Sequence, residues 1–404
     1  MIRPLRIALL TYATKPRGSV IHCLELADAL HALGHYVCIF ALDKDGVGFH
    51  RATQCQVTLI PALPAPQEIG EVIRQRIQEF VQFFLASSEE FDIYHAQDCI
   101  AANALLALRQ CGKIPHFART IHHIDEFTNA YLHDCQERSI REPDLRLCVS
   151  QYWQQALKQR YHIQAPRVTN GVNLARFSQL SENSEADAFG DRPSPFCQRY
   201  GINGDPFFLT IGGIEPRKNS LRLLQAFAAV LADHPQAQLM IAGGASVFDY
   251  ADYRAEFFAL AHQLGIEVGR SLLLPGVIPD DDLPELYRCA DAFVFPSLKE
   301  GWGLVVLEAI ASGIPVITSN CHPFTEFLCP NQALLVDPQQ PEAIAQAMHW
   351  VTQPEVATAL VQNSRPVCEQ YSWERSARMH VYQYTQLLIA RSQPPQWPLP
   401  LLSS

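Results

Sequence analysis

The chain has 404 residues, of which 48% are hydrophobic and 18% are charged, and this composition excludes a disordered or fibrous protein. Its 31 basic and 41 acidic side chains give a formal net charge of −10, which argues against a general nucleic-acid binder. The length predicts two or three domains.

The 12 cysteines are scattered along the chain without a C-x-x-C pair, so we expect mostly buried thiols rather than a disulfide framework or a structural zinc site. The longest apolar stretch, residues 303–319, is broken by Glu308, Gly313 and Pro315. It falls short of the roughly 20 apolar residues that a spanning helix needs. The beginning of the chain does not resemble a signal peptide. We therefore expect a cytoplasmic protein without a transmembrane segment.

Short apolar runs alternate with helical periodicity along the first 150 residues. The runs predict strands at 5–11, 36–41, 92–96, 116–122 and 146–150. The helical patterns predict helices at 20–33, 74–84 and 101–108, and Gly34 stands where the cap of the first helix belongs. Strands that alternate with helices predict a parallel sheet built through crossover connections.

Residues 181–195 are rich in Ser, Glu, Asp and Pro and are predicted to be a linker. A second alternation then predicts strands at 207–211, 238–242, 272–274, 292–295, 315–318 and 333–336. It predicts helices at 221–231, 253–264, 283–289, 304–312, 341–351 and 372–390, before a Pro-rich tail. The sequence therefore predicts two doubly wound α/β units in tandem, with a ligand cleft between the carboxyl ends of their strands.

Two carboxylates, Glu300 and Glu308, stand on either side of a predicted loop-to-helix turn. Gly301 and Gly303 let backbone N–H groups approach a ligand, and the helix start at Leu304 offers partial positive charge to an anion. Carboxylates accept hydrogen bonds from sugar and ribose hydroxyls, so this arrangement suits a nucleotide sugar with a phosphate in its middle. The alternative is a solvated loop glutamate followed by an ordinary helix glutamate.

This stretch resembles the E-x7-E signature of retaining glycosyltransferases with the GT-B fold, and of glycosyltransferase family 4 above all. The resemblance rests on Phe295-Pro296-Ser297, Glu300-Gly301-Trp302-Gly303, Glu308-Ala309 and Gly313-Ile314-Pro315-Val316. It implies a GT-B architecture, in which two Rossmann-like doubly wound parallel-sheet domains face each other across a cleft. The implied domains are an acceptor-side domain at 1–170, joined by the helix at about 372–390, a nucleotide-sugar-binding domain at 171–371, and a loose tail at 391–404.

By this resemblance Glu300 binds the hydroxyls of the donor sugar, the backbone from Gly301 through Trp302 and Gly303 to Leu304 meets sugar and phosphate, and Glu308 binds the ribose. The loop Gly212-Gly213-Ile214-Glu215-Pro216-Arg217-Lys218-Asn219 resembles the family's phosphate-binding turn, in which Lys218 holds the diphosphate. The usual arginine after the first glycine is replaced by Gly213. Arg217 either supplies the missing charge or is a surface arginine at a helix start.

In the first unit the resemblance places Gly18 in a loop that faces the donor phosphates and the acceptor. Thr120-Ile121-His122-His123 resembles the family's T-x-H-D, so His122 would reach the reacting sugar and His123 replaces the aspartate. Which of the two histidines faces the site stays open. Asp98 would lie on the acceptor side, unless it serves only as the cap of the next helix.

Further landmarks of the resemblance are a hinge at Asn170-Gly171-Val172 and a base pocket lined by Val277 and Ile278. Glu326 falls in a T-E-x-L segment that family members keep near the site.

The resemblance implies a retaining transfer of a hexose-type sugar from a nucleoside-diphosphate sugar to the hydroxyl of a glycan, a glycolipid or a small molecule. His122, Glu300 and Lys218 would be catalytic, and neither a metal nor another cofactor is expected. Three alternatives stay open: a GT-B phosphorylase, a nucleotide-sugar epimerase and a non-catalytic nucleotide-sugar-binding protein. The sequence identifies neither base, sugar nor acceptor, and a lipid acceptor would imply peripheral membrane contact.

Overall fold

A computed structural model describes residues 3–178, 194–244 and 250–392 of the chain. These residues form two six-stranded sheets in which every strand pairs in parallel with its neighbours. Helices cover both faces of each sheet, so the predicted pair of doubly wound domains is confirmed.

The first sheet has the order β3-β2-β1-β4-β5-β6. Its strands are β1 (Arg6–Thr11), β2 (Tyr36–Asp43), β3 (Gln56–Pro61), β4 (Ile93–Ala96), β5 (Ala118–Ile121) and β6 (Leu145–Cys148). The helices that accompany it are α1 (Gly18–Ala32), α2 (Ile69–Ala86), α3 (Cys99–Gln110), α4 (Ala130–Arg141), α5 (Gln151–Tyr161) and the short α6 (Leu174–Phe177).

The second sheet has the order β12-β11-β10-β7-β8-β9. Its strands are β7 (Phe207–Ile211), β8 (Gln238–Ala242), β9 (Leu272–Gly276), β10 (Ala292–Phe295), β11 (Val316–Ser319) and β12 (Leu334–Val336). The remaining helices are α7 (Pro195–Tyr200), α8 (Ser220–Asp233), α9 (Ala251–Gln263), α10 (Leu283–Cys289), α11 (Leu304–Ala311), α12 (Pro341–Val351), α13 (Pro354–Gln370) and α14 (Trp373–Ser392).

The buried strands bury their side chains on both faces, because successive residues of a strand point to opposite sides. In β1, Ala8 and Leu10 join the core under α2 and α3, whereas Ile7 and Leu9 join the core under α1 and α14. The central strands of each sheet are therefore covered on both faces, and the loops at their ends are free to build a site.

The chain crosses between the two domains twice, at neighbouring positions. The backbone N–H of Val172 donates to the carbonyl of Tyr371 at 3.0 Å, and Val172 forms a parallel bridge with Ser372. Helix α14 then packs against α1 of the first domain.

Some predicted boundaries need correction. Helix α14 runs through Ser392, two residues into the tail predicted at 391–404, and the rest of that tail lies outside the described residues. The predicted linker at 181–195 also lies outside them, except for Ser194 and Pro195, where α7 begins. Within the three described ranges, no helix is both long enough and apolar enough to cross a membrane.

Candidate active site

The two loops singled out in the second domain lie side by side. They follow β7 and β10, which are hydrogen-bonded neighbours at the point where the strand order of the sheet reverses. The backbone N–H of Leu298 donates to the carbonyl of Arg217 at 2.8 Å, and Ser297 Oγ lies 2.8 Å from the same carbonyl oxygen. Buried Asn219 donates its side-chain amide to the carbonyls of Pro296 and Pro338. These bonds fix the loops relative to each other.

One carboxylate oxygen of Glu300 collects three donors. Its Oε1 accepts from Lys218 Nζ at 2.7 Å, from Arg217 Nη1 at 2.9 Å and from Ser297 Oγ at 2.8 Å. The Glu300 side chain is only 11% exposed. Burial alone would raise the pKa of Glu300, but the charges of Lys218 and Arg217 hold it below its usual range. Glu300 is therefore ionised and firmly oriented at neutral pH.

The two cations predicted to meet the donor phosphates are thus already partnered. Burial lowers the pKa of Lys218, and the charge of Arg217 adds to that effect, while Glu300 opposes it. Arg217 also pairs with Glu215, with Nε 3.1 Å from Oε2. A bound diphosphate would have to compete with carboxylates for both cations.

Helix α11 offers a second source of positive potential at the same place. It begins at Leu304, as predicted, and its start has neither a side-chain cap nor an acidic residue in its first turn. The first N–H groups of a helix lack intrahelical partners and carry partial positive charge. The backbone from Gly303 onward is therefore suited to a phosphate.

The departure at Gly213 has a packing reason. Gly213 adopts a left-handed φ of +74°, and a Cβ atom there would lie 2.6 Å from the carbonyl oxygen of Gly244. Gly243 approaches equally closely, because its own Cβ would lie 2.5 Å from the Gly213 nitrogen. The loops after β7 and β8 thus interlock through glycines, and an arginine at position 213 would not fit this arrangement. Arg217 carries its charge at a different position, where it contacts Glu300 and Glu215. Gly212, which precedes Gly213, lies against the Lys218 side chain.

Glu308 lies in the second turn of α11 and accepts a hydrogen bond from the Tyr287 hydroxyl at 2.8 Å. Burial raises the pKa of Glu308 to about 7; Tyr287 and Arg176 act against this shift, and the charges of Glu25 and Asp280 add to it. A carboxyl group that titrates near neutral pH stands out from the ordinary helix glutamate that the sequence left open. Of the two predicted base-pocket residues, Val277 is exposed and Ile278 is buried.

The first domain brings His122 toward the interior and His123 toward solvent. His122 Nε2 lies 3.3 Å from Gln97 Oε1, and its ring centre lies 4.7 Å from that of buried His22. Burial lowers the pKa of His122 well below the usual range, so its ring is neutral. His123 pairs with Asp125 at 3.0 Å. Of the two histidines, His122 is the one held in place by the fold.

Asp98 occupies the start of α3. Its Oδ1 accepts from the backbone N–H of Ala101 and its Oδ2 from that of Tyr12, each at 2.8 Å. Both oxygens therefore serve the fold, as the helix-cap interpretation predicts. Gly18 is exposed at the first position of α1, facing open space.

The loop that carries Glu300 touches the first domain directly. A Cβ atom at Gly301 would lie 2.5 Å from the carbonyl oxygen of His122, so only glycine permits this approach. Lys299 Nζ donates to the carbonyl of Ile124 at 3.0 Å, and Trp153 Nε1 donates to the carbonyl of Glu300 at 3.2 Å. Trp302, which follows Gly301, is buried. The loop that carries Glu300 and the residue His122 thus meet at one contact between the domains.

Glu326 makes a second contact between the domains. Its carboxylate accepts from the backbone N–H groups of Gln151 at 2.6 Å and Tyr152 at 2.8 Å, the first residues of α5. Arg167 Nη1 lies 3.5 Å from the same carboxylate. A negative charge at a helix start is favourable, so this glutamate fastens α5 to the second domain.

Several contacts of the site were not identified from the sequence. Tyr287 bonds Glu308, Trp153 bonds the Glu300 carbonyl and Gln97 faces His122, yet only packing brings these pairs together. Ser297 lies inside the recognised motif, and its place three residues before Glu300 was the available signal. Among the residues that the structure covers, no cluster of three or more His, Cys, Asp or Glu side chains is arranged to hold a metal ion.

Two family models match the chain, one in each domain. The model of glycosyltransferase family 4 matches residues 16–176, and that of glycosyl transferases group 1 matches residues 197–366. An uncharacterized glycosyltransferase of Methanocaldococcus jannaschii is 24% identical over 96% of this chain and 100% of its own length.

Solved structures with the same fold include two that cover nearly the whole chain. Sucrose-phosphate synthase of Thermosynechococcus elongatus superposes with a TM-score of 0.75 at 23% identity, over 95% of this chain and 99% of its own. Anabaena HepE in complex with UDP and glucose superposes with a TM-score of 0.73 at 17% identity, over 95% of this chain and 100% of its own. With both domains matched and the topology shared, the chain belongs to glycosyltransferase family 4 and is a glycosyltransferase of GT-B fold.

Proposed function

We propose that the chain transfers a hexose-type sugar from a nucleoside-diphosphate sugar to an acceptor hydroxyl with retention at the anomeric carbon. The observation that carries this proposal is the convergence of Lys218, Arg217 and Ser297 on Glu300, in a loop that touches His122. The residues before 171, together with the helix at about 372–390, would form the acceptor side, and residues 171–371 the donor side.

Donor binding would exchange partners within this cluster. The diphosphate would take over Lys218 and Arg217 and lie against the start of α11, since it carries more negative charge than one carboxylate and also accepts bonds from the helix start. Glu300 would then be free to accept bonds from the sugar hydroxyls. Glu308 would accept from the ribose, in a position that its bond to Tyr287 already fixes. The HepE structure, described as a complex with UDP and glucose, supports a nucleotide donor of this kind.

In the reaction, the bond between the anomeric carbon and the phosphate oxygen breaks, and its electron pair leaves with the diphosphate. The acceptor oxygen bonds to the anomeric carbon on the same face, and its proton passes to the departing phosphate. Lys218, Arg217 and the helix start would stabilise the charge that develops on the leaving group. Neutral His122, whose Nε2 faces Gln97, would keep Nδ1 as an acceptor for a sugar or acceptor hydroxyl. No metal is needed for these steps.

The first experiment is a thermal-shift panel with nucleoside diphosphates and their common sugars on the full chain. A ligand at about 100 times its Kd stabilises by roughly 2.7 kcal/mol, which is readily measured. We expect one base to be preferred, with its shift reduced in Glu308→Gln and retained in the exposed control Glu355→Gln. No shift with any nucleotide would contradict the proposal.

Turnover of the preferred donor separates the remaining alternatives. Transfer to a hydroxyl with an unchanged anomeric configuration, read by NMR, supports the proposal. Sugar release that requires inorganic phosphate would indicate a phosphorylase, and a changed sugar without an acceptor would indicate an epimerase. Tight donor binding without turnover for any acceptor would indicate a binding protein.

A further inference from the structure

Four cationic side chains lie together at the carboxyl edge of the first sheet. Lys15 and Arg17 follow β1, Lys44 follows β2, and Arg76 belongs to α2. Desolvation lowers the pKa of Lys44 to about 8, although much of the side chain stays exposed, and the charges of Arg76, Arg17 and Lys15 act in the same direction. The ion pair between Lys15 Nζ and Asp45 Oδ2, 3.3 Å apart, also places the loop after β1 beside the end of β2, where Lys44 lies.

Two of these cations have no counter-ion among the described residues. Lys15 pairs with Asp45 at 3.3 Å, and Arg76 pairs with Glu79 at 2.6 Å. Over residues 3–178, 194–244 and 250–392, neither Arg17 nor Lys44 forms a salt bridge. The Nε atom of Arg76, a residue only 2% exposed, also has no hydrogen-bond partner in the described part of the chain.

The nearby polar groups do not neutralise this charge. Lys44 Nζ lies 4.6 Å from the centre of the Tyr12 ring, and the charge of Arg17 acts against the effect of burial, which raises the pKa of the Tyr12 hydroxyl. Asp98 acts on Lys44 in the opposite sense, but both of its oxygens are occupied by backbone N–H groups. Lys44 thus lies beside an aromatic ring, and Asp98, the carboxylate that acts on it, is committed to backbone hydrogen bonds.

The start of α1 adds positive potential at the same edge. Helices α2 to α5 each have a side-chain cap at the N-terminus, from Glu68, Asp98, Asn129 and Ser150. Helix α1 has none, its N-cap residue is Arg17, and its first turn contains no acid. A Cβ atom at Gly18 would meet nothing within 4 Å, so this helix start is open to a ligand.

The carboxyl edge of the first sheet extends from these cations to His122. The order β2-β1-β4-β5 places Lys44, Tyr12, Asp98 and His122 after four neighbouring strands. Tyr12 is bonded to Asp98, and Gln97 beside Asp98 faces His122. With neighbouring strands about 4.8 Å apart, the ends of β2 and β5 are separated by roughly 14 Å. A single extended ligand would reach from the cations to the contact between the domains.

We propose that this edge binds an acceptor that carries a phosphate group, held by Lys44, Arg17 and the start of α1, with its reacting hydroxyl near His122. The inference rests on the proposed function and adds the chemical class of the acceptor. A phosphate relieves the repulsion between the gathered cations and accepts charge-assisted bonds from them. The phosphate belongs either to a soluble sugar phosphate or to a lipid headgroup.

Binding is measured first, because it does not depend on turnover. Inorganic phosphate, glucose 6-phosphate and glucose are compared by thermal shift on the full chain. We expect the two phosphates, but not glucose, to stabilise the protein. Their apparent Kd should rise roughly tenfold in Lys44→Gln and in Arg17→Gln, the loss of about one charge-assisted bond, and stay unchanged in the exposed control Lys158→Gln.

A second arm identifies the source of the phosphate. Vesicles of phosphatidylcholine with and without phosphatidic acid are tested by co-sedimentation with the same four proteins. Binding that requires both phosphatidic acid and Lys44 indicates a lipid acceptor, whereas binding of glucose 6-phosphate alone indicates a soluble one.

Three results would overturn the inference. The first is that no phosphate probe binds, either in solution or on vesicles. The second is that the probes bind equally well to the wild type, Lys44→Gln and Arg17→Gln. Alternatively, Lys44→Gln and Arg17→Gln could weaken nucleotide binding instead, which would assign the cations to the donor. Failure of the proposed function gives a different result: no nucleotide stabilises the protein, whatever the outcome of the phosphate-binding measurements.

Discussion

Lys218 places its Nζ atom 2.7 Å from Oε1 of Glu300, and both side chains are only 11% exposed. The two side chains therefore compensate each other's charge in a largely buried position. Removing one partner of a buried ion pair leaves an uncompensated charge, which costs more than the pair itself contributes.

We expect Glu300→Gln to lower the free energy of unfolding by about 3 kcal/mol, because Lys218 and Arg217 lose their common carboxylate. Adding Lys218→Met to this variant should recover a large part of the loss. Urea denaturation of the wild type, both single variants and the double variant measures the coupling. Strictly additive effects would show that the two side chains do not compensate each other.

The same substitution should strengthen the binding of a nucleoside diphosphate that carries no sugar. In Glu300→Gln the two cations no longer have to leave a carboxylate, so we expect the Kd to fall roughly tenfold, the worth of one charge-assisted bond. Sugar transfer should fall at the same time, because the sugar loses its carboxylate. Calorimetric titration checks the prediction, with Glu355→Gln as the matched control. Weaker binding by the variant would refute the exchange of partners.

Glu308→Gln should stabilise the protein above neutral pH. The pKa of Glu308 is about 7 in the folded chain against an ordinary value of 4.5, so the folded state holds its proton longer than the unfolded state does. Stability from this group is complete below pH 4.5 and is lost as the pH rises to about 7, a change of about 3 kcal/mol. Thermal unfolding at pH 5 and pH 8 should show the advantage of the variant growing with pH. A constant difference would contradict the raised pKa.

A buried histidine cluster, formed by His22, His95, His122 and His380, should make the protein sensitive to acid. Burial lowers the pKa of all four, that of His380 to about 4. His22 Nε2 and His380 Nε2 have no partner among the described residues. Because the folded values lie below the usual 6.5, stability is complete above that pH and is lost as the pH falls toward 4.

The contribution of His380 to this loss is about 3 kcal/mol. In His380→Asn the fall in stability between pH 6.5 and 4 should be shallower by about one proton. The exposed control His262→Asn should keep the slope of the wild type. Unfolding by urea at a series of pH values gives both slopes, and equal slopes for all three proteins would exclude His380 as an acid-sensitive group.

Gly301→Ala tests the contact between the domains. The added methyl group would lie 2.5 Å from the His122 carbonyl oxygen, so the loop must move away from the first domain. We expect turnover to fall at least tenfold, since small displacements of reacting groups are costly. Nucleotide affinity should change less, because Glu308 and Tyr287 lie beyond the displaced loop. Unchanged turnover would mean that this close approach has no part in the reaction.

The regular part of the second domain was predictable because its signals are local. Strands β7, β8 and β10 and helices α10 and α12 have the predicted bounds, since each is a short apolar run or an amphipathic pattern between clear turns. Strand β3 was not predicted, because this edge strand buries only Ile60 among its six residues. Helices α4, α5 and α13 were not predicted either. Helices α4 and α5 are polar over most of their length, and α13 contains Pro366, a residue that normally indicates a helix end.

In the site, too, the local motif residues were predictable and the long-range contacts were not. Glu300, Glu308 and Lys218 were identified because their spacing resembles a family motif. The contacts that set their chemistry join distant parts of the chain, such as Trp153 with the Glu300 carbonyl or Tyr287 with Glu308. A sequence pattern contains no information on such packing. The charge pairing of Lys218 with Glu300 was also unforeseen, since the resemblance describes both residues with a donor bound.

The return of α14 to the first domain has a consequence for biosynthesis. Trp373, Ala377 and Tyr384 complete a core that also contains Leu24 and Leu30 of α1. The ribosome makes α1 before the second domain and α14 only after the whole second domain has been translated. Nascent domains generally fold in the order in which they emerge, so here the apolar face beside α1 stays uncovered until α14 has been translated. The domain that is made first is finished last, and its exposed face is where we expect chaperones to bind during synthesis.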